Sequence, residues 1–238
     1  MALLGSIFFN AVFYTSLIPV SLSIIILYFF LSTEKLQAFG ALWIRFVLSM
    51  LRLFCGVTWV VEGKENIPKN PCIIVSNHQG QWESFYLQTL IIPSTSIIKN
   101  ELLYIPFFGW ALRCMKPIAL NRSNKFSGIK KVVNEGVLKL KNGFSVILFP
   151  EGTRISPDKG IQPFANSCGL LAIKSGKPII PICHNSGKYW KNKKFIKKPG
   201  QVIVKIGPHL SGPTAREITH KSYLWIKSSY ELLPRSHY

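Results

Sequence analysis

Cys72-Ile73-Ile74-Val75-Ser76-Asn77-His78-Gln79-Gly80-Gln81-Trp82-Glu83-Ser84 is the stretch on which the reading of this chain turns. It opens as an apolar, β-branched run of the kind found in buried strands, and it breaks into a polar loop. A histidine sits in that loop with a carboxylate five positions later. On one continuous helix, at about 100° per residue, the two would lie roughly 140° apart and could not meet. A turn between them brings them together, and Gly80 offers the conformational freedom for one. A neutral imidazole with a carboxylate on its far nitrogen is tuned to take a proton from a hydroxyl. The blander alternatives are a structural histidine and a Glu83 that opens the next helix, where a carboxylate suits the dipole. Asn77 offers the ring a further partner.

Outward from this stretch the chain alternates short β-branched runs with helical patterns. Strands are expected at residues 72–76, 96–99, 117–120, 145–149, 178–182 and 201–206, and the clearest helices at 125–141 and 165–175. Such alternation predicts a mixed α/β fold with a largely parallel sheet flanked by helices. His78, Lys99 with Glu101, Arg122, and Glu151 with Arg154 each follow the end of an expected strand. In open α/β sheets ligands bind outside the carboxyl ends of strands, so four strands would deliver these groups to one edge.

Phe149-Pro150-Glu151-Gly152-Thr153-Arg154 follows another apolar run. Gly152 lets backbone approach a ligand, and the planar fork of Arg154 suits a phosphate bidentately. Glu151 is placed to hold that arginine or a substrate hydroxyl. Arg122 is a second phosphate candidate, against the alternative of a solvated loop arginine. With the His78–Glu83 pair, this second motif points to an acyl transfer enzyme. There is no Gly-x-Ser-x-Gly elbow, Walker loop, Gly-x-Gly-x-x-Gly or His-Glu-x-x-His.

Lysine and arginine outnumber aspartate and glutamate 29 to 10, giving a formal charge of +19, yet charged residues make up only 16% and hydrophobic ones 48% of the chain. Greasy and basic together favour an anionic membrane surface over nucleic acid. Residues 1–33 carry no charged side chain and are long enough to cross a hydrocarbon core of ~30 Å. They read as a retained anchor; kinked at Pro19, they would equally suit a re-entrant or in-plane helix pair. Residues 43–61 form a second apolar stretch whose Arg45 and Arg52 share a helical face, as in an interfacial helix. The chain thus divides into membrane-associated helices at 1–62 and a catalytic domain at 63–238. The basic residues all follow the first segment, which puts that domain on the cytoplasmic side. Residues 188–198 interleave six lysines with Tyr189, Trp190 and Phe195, a pattern suited to a solvated face or to interfacial docking. Five scattered cysteines read as reduced thiols, without zinc-site spacing.

These motifs resemble the glycerolipid acyltransferase family, specifically its bacterial lysophosphatidic acid acyltransferases, over nearly the whole chain. The family's His-x4-Asp/Glu block is similar to Asn77 through Glu83. Its second block resembles Lys99-Asn100-Glu101-Leu102, continuing through Ile105-Pro106-Phe107-Phe108-Gly109 to Ile118 and Arg122. Its third is similar to Phe149 through Arg154, and its fourth to Lys177-Pro178-Ile179-Ile180-Pro181-Ile182. Two departures stand out: Glu83 replaces the commoner aspartate, and Phe164-Ala165-Asn166-Ser167 lacks the family's Phe-Lys-x-Gly turn.

The resemblance implies acyl transfer from acyl-CoA or acyl carrier protein to the secondary hydroxyl of lysophosphatidic acid, at a bacterial inner membrane. His78 would be the base and Glu83 its orienter. Asn77, Lys99, Glu101, Arg122, Glu151, Gly152, Thr153 and Arg154 would bind substrate. No metal or cofactor is required when the hydroxyl is itself the nucleophile. Another lysolipid or glycerol phosphate as acceptor, or a non-catalytic membrane-binding protein, are the alternatives.

Overall fold

The computed structural model describes residues 2–121 and 125–234. Two long helices come first, α1 (Ala2–Leu27) and α2 (Thr33–Cys55). Strands β1 (Val57–Glu62) and β2 (Ile73–Ser76) precede α3 (Trp82–Tyr86), and β3 (Ser94–Lys99) precedes α4 (Phe108–Cys114). Then come β4 (Ile118–Leu120), α5 (Lys125–Lys141), β5 (Ser145–Leu148), α6 (Ser167–Ser175), β6 (Ile179–His184), β7 (Gly200–Ile206) and α7 (Ala215–Glu231). The strands form one sheet in the order β1-β7-β6-β2-β5-β3-β4. From β6 through β4 all neighbours are parallel. β7 runs antiparallel to β6 and carries β1 parallel to itself. The largely parallel sheet flanked by helices is thus as expected.

Strands buried on both faces read as continuous apolar runs, and that explains the legibility of the central ones. Ile74, Ile147, Ile180 and Ile182 point to one side, where they pack with Leu48 and Leu51 of α2 and Trp82 of α3. Ile73, Val75, Val146, Leu148 and Ile179 point to the other, against Leu171 of α6 and Ile218 and Ile226 of α7. On this second side the backbones of α6 and α7 come close together at Gly169. A Cβ there would stand 1.9 Å from the Ala215 carbonyl oxygen and 2.5 Å from Thr219 Oγ1. Gly169→Ala is therefore expected to cost about 1–3 kcal/mol by overpacking. That lowers Tm by roughly 2–12 °C for a chain of this size. A thermal melt at the wild-type Tm would show the idea wrong.

One expectation needs correction. Residues 43–61 are not a single interfacial helix. α2 ends at Cys55, where Gly56 adopts the left-handed φ of 65° and its N–H caps the Arg52 carbonyl. The next residues, Val57-Thr58-Trp59-Val60-Val61, are β-branched or aromatic and form the edge strand β1, paired with β7. So the sheet begins inside the segment 1–62.

Both α1 and α2 are long and apolar enough to cross a membrane. Their surroundings differ. α2 buries Leu36, Ile44, Val47, Leu48 and Leu51 as a stripe at helical spacing, and holds Arg45 and Arg52 outward. α1 buries little beyond Phe9 and Ile24, leaving Leu4, Phe8, Tyr14, Ile18 and Ile26 exposed. It continues through Pro19 and crosses α2 so closely that a Cβ on Gly5 would meet the Phe54 carbonyl oxygen at 2.0 Å. An exposed apolar face of this length marks a surface for lipid or protein.

Candidate active site

β2 ends at Ser76 and delivers Asn77 and His78 at the carboxyl edge of the sheet. The chain then turns through Gln79-Gly80-Gln81 into α3, which carries Glu83 in its first turn. His78 Nδ1 stands 3.0 Å from Glu83 Oε1. The Gln79 and Gly80 N–H groups donate to the same oxygen at 2.7 and 2.6 Å, and Ser186 Oγ–H donates to Oε2 at 2.7 Å. Glu83 is fully buried, and this set of donors satisfies both oxygens. Glu83 also lies in the first turn of α3, where a carboxylate suits the helix dipole, but its oxygens are taken by groups that precede the helix and by Ser186.

Burial alone would push the Glu83 carboxyl up. The nearby His184 and His78 rings and the Gly80 N–H outweigh it, holding the carboxyl well below its ordinary value of 4.5. The donors that converge on it require an anion there. A carboxylate on Nδ1 keeps that nitrogen protonated and leaves Nε2 as the basic one. The ring is further fixed by stacking on Phe149, 4.1 Å between centroids and 16° from parallel. His78 is 8% exposed, so its ring sits in a largely dry place.

Gly80 has a reason other than the one expected. It needs no unusual turn; a Cβ there would come within 2.5 Å of the Trp190 carbonyl oxygen. Gly80 pairs with Lys191 in an isolated antiparallel bridge, so the loop after β2 and the loop after β6 touch at this point.

Asn77 does not serve the imidazole of His78. It is fully buried; its Nδ2 donates to the His184 carbonyl at 2.9 Å and its Oδ1 accepts from the His184 N–H at 3.1 Å. It pins β2 to β6, and with both ends of its amide engaged it is withdrawn from substrate. Burial pushes the ring of His184, also fully buried, below its ordinary value, and its Nε2 lies on the Asn77 carbonyl at 2.8 Å.

β5 delivers the second motif beside the first. Glu151 takes a different position from that expected: Oε2 accepts from the His78 N–H at 2.7 Å and Oε1 from the Gln162 N–H at 3.1 Å. It braces the backbone of His78. Burial pushes its carboxyl up to about 7. A raised value contributes stability in full below the ordinary 4.5 and loses it as pH climbs through about 7. Gly152 has φ of 70°, the left-handed region that favours glycine, with open space around it. Thr153 is exposed beside it, and Arg154 Nη1 donates to Asn192 Oδ1 at 3.2 Å. Lys99 ends β3 and Glu101 follows it at the same sheet edge; the two pair at 2.8 Å, both about half exposed. Arg122 lies outside the described residues. β2, β5 and β3 are adjacent and parallel, so the His78, Arg154 and Lys99 segments do share one edge.

Ser186 and His184 are neighbours of the His78–Glu83 pair that the sequence reading missed. Ser186 lies 103 residues from Glu83, and only the pairing of β6 with β2 brings it there. The lysine-rich run is exposed at Lys191, Lys193, Lys194 and Lys198, as expected of a solvated or docking face, but not throughout. Trp190 and Lys197 are each 3% exposed, packed against α1, while Phe195 remains half-exposed. At the altered turn, the Ala165 N–H donates to the Pro150 carbonyl and Asn166 Oδ1 accepts from Thr219 Oγ1, which ties the third block to α7. Among the described residues no group of three His, Cys, Asp or Glu side chains is placed to hold a metal ion.

The family model described as Acyltransferase matches residues 59–185. The chain is 41% identical over 192 residues to the 1-acyl-sn-glycerol-3-phosphate acyltransferase of Pseudomonas aeruginosa, covering 79% of this chain and 74% of that one. It is 30% identical over 172 residues to the enzyme of the same name from Saccharomyces cerevisiae, covering 70% and 56%. The crystal structure of the 1-acyl-sn-glycerophosphate (LPA) acyltransferase PlsC from Thermotoga maritima matches with a TM-score of 0.79 at 25% identity, over 98% of this chain and 97% of that one. The matched family segment contains the His78–Glu83 pair and Arg154.

Proposed function

The chain belongs to the acyltransferase family, and from that premise we propose that it acylates the free sn-2 hydroxyl of lysophosphatidic acid, giving phosphatidic acid. The observation that carries the mechanism is the 3.0 Å contact between His78 Nδ1 and a carboxylate held by three further donors. His78 Nε2 removes the hydroxyl proton as the oxygen attacks the thioester carbonyl. The carbon–sulfur bond then breaks, and the proton passes to the departing thiolate. Glu83 keeps the ring in the right tautomer and stabilises its cation. Glu151 acts one step back, holding the His78 backbone. No covalent acyl-enzyme, metal or cofactor enters this scheme; the donor is a substrate, an acyl thioester of coenzyme A or of acyl carrier protein.

Arg154, beside an exposed Thr153 and the left-handed Gly152, supports a phosphate site for the acceptor. Lys99 and Glu101 flank it from β3, and Arg122 is a further candidate. Arg154→Ala is expected to raise the acceptor KM roughly 10- to 100-fold, the worth of one charge-assisted contact, with a smaller change in kcat. An unchanged KM would move the phosphate elsewhere. The exposed apolar face of α1 would lie in lipid, with the body on the cytoplasmic face of a bacterial inner membrane, where an acyl chain enters without crossing water. The deciding assay supplies lysophosphatidic acid and a long-chain acyl thioester in mixed micelles, on each carrier in turn. Phosphatidic acid from neither carrier would reject the reading.

A further inference from the structure

The reaction proposed above brings two phosphates to one loop, that of the acceptor and that of the donor's phosphopantetheine arm. We propose that the second is bound in the cavity between α1 and the loop that follows β6, by Lys193, Lys194 and Lys197. The ligand class is a phosphate ester of pantetheine, common to coenzyme A and acyl carrier protein. The proposal rests on the acyltransferase reading and adds a place for the donor.

The cavity measures about 240 Å³, and its lining includes three lysines, Asn10, Gln81 and Trp190, with no acidic residue. A concave site with that much charge of one sign concentrates anions. Lys197 is its built element. It is 3% exposed, Nζ donates to Asn10 Oδ1 at 2.7 Å and to the Phe195 carbonyl at 2.8 Å, and its backbone N–H donates to Ser6 Oγ. The rings of Phe9, Trp190 and Phe195 surround the ammonium at 5.2–5.5 Å. An ammonium has three protons, two of which these oxygens take. Among the described residues no carboxylate pairs with it. Burial lowers Lys197 to about 8, the Cys55 thiol working weakly the other way. A buried cation without a counter-charge is costly unless something anionic arrives.

Two further observations mark the cavity as a site beside the His78 loop. Lys193 holds a left-handed φ of 58°, a strained conformation for a side-chain-bearing residue and one that concentrates at binding sites. Gln81, three positions past the base, lines the cavity, and Gly80 bridges to Lys191. The same loop presents Asn192 to Arg154, so the acceptor's phosphate candidate and this cavity flank one segment. A lipid headgroup is the competing source of phosphate. The burial of Lys197 favours a ligand that enters a pocket over one that lies along a surface.

The test is competitive binding of 4′-phosphopantetheine and pantetheine to the full-length protein, with K193Q/K194Q alongside. Both lysines are exposed, so the variant should fold. Phosphopantetheine should bind wild type about tenfold more tightly than pantetheine, and the variant should lose that preference. In turnover the variant should raise the donor KM about tenfold for both carriers and leave the acceptor KM alone. Equal binding of the two probes to wild type would overturn the proposal. So would loss of affinity for phosphatidylglycerol vesicles at an unchanged donor KM, which would assign the cavity to a headgroup. Because probe binding needs no turnover, failure of wild type to make phosphatidic acid would reject the reaction and still leave this site decided.

Discussion

His78→Ala should lower kcat/KM by roughly 10²–10⁴-fold, the usual worth of a general base, while the protein stays folded. The loop that carries His78 is held by its backbone: the His78 N–H donates to Glu151 at 2.7 Å, and its carbonyl accepts from the Ile155 N–H at 2.7 Å. Neither bond involves the imidazole. Glu83 loses one donor and keeps those from Gln79, Gly80 and Ser186. The side chain is therefore needed for chemistry much more than for structure. The measurement is phosphatidic acid formation in mixed micelles beside a thermal melt. Near-normal turnover from a variant with a normal melt would remove His78 from the mechanism.

How much of this could be read from the chain depended on distance along it. The pair His78 and Glu83 was legible because both ends lie within six residues and the turn between them is local. Central strands such as β2 and β5 were legible because burial on both faces demands an unbroken apolar run. Strand β1 was hidden, since Val57–Glu62 continues the apolar character of α2; the signal was Gly56, whose left-handed cap stops the helix. Helix α7 was missed although Thr214 caps it with its side chain and Glu217 stands three residues on, a capping-box pattern. The reversal of β7 against β6 leaves no mark on either strand's own composition. Asn77 and Glu151 were recognised as important residues and given the wrong partners. Their actual partners, His184 and the His78 backbone, come from other strands and become neighbours only in the sheet. Ser186 was invisible for the same reason.

Glu83 offers the sharpest separation of fold from chemistry, through two substitutions. Glu83→Ala removes the acceptor for the Gln79 and Gly80 N–H groups, the Ser186 hydroxyl and the His78 ring in a fully buried place. Breaking a buried charged partnership from one side costs about 3–5 kcal/mol, because the other side is stranded. At roughly 2–4 °C per kcal/mol, Tm should fall by about 6–20 °C. Glu83→Gln keeps an oxygen for the two N–H groups and the ring, and the Ser186 hydroxyl can rotate to accept from the new amide. Its melt at neutral pH should lie much closer to wild type. The amide carries no charge, however, so it cannot stabilise the imidazolium that forms as the substrate hydroxyl loses its proton. Turnover should fall by at least about 10²-fold while the tautomer is preserved. The sign of the pH effect follows from the depressed carboxyl. Glu83 contributes its stability in full above the ordinary 4.5, and that contribution fades as acid approaches the lower folded value. Wild type should therefore lose Tm more steeply than Glu83→Gln below pH 4.5. A glutamine variant with wild-type turnover would mean that the carboxylate only positions the loop, and the base would then act without a charged partner.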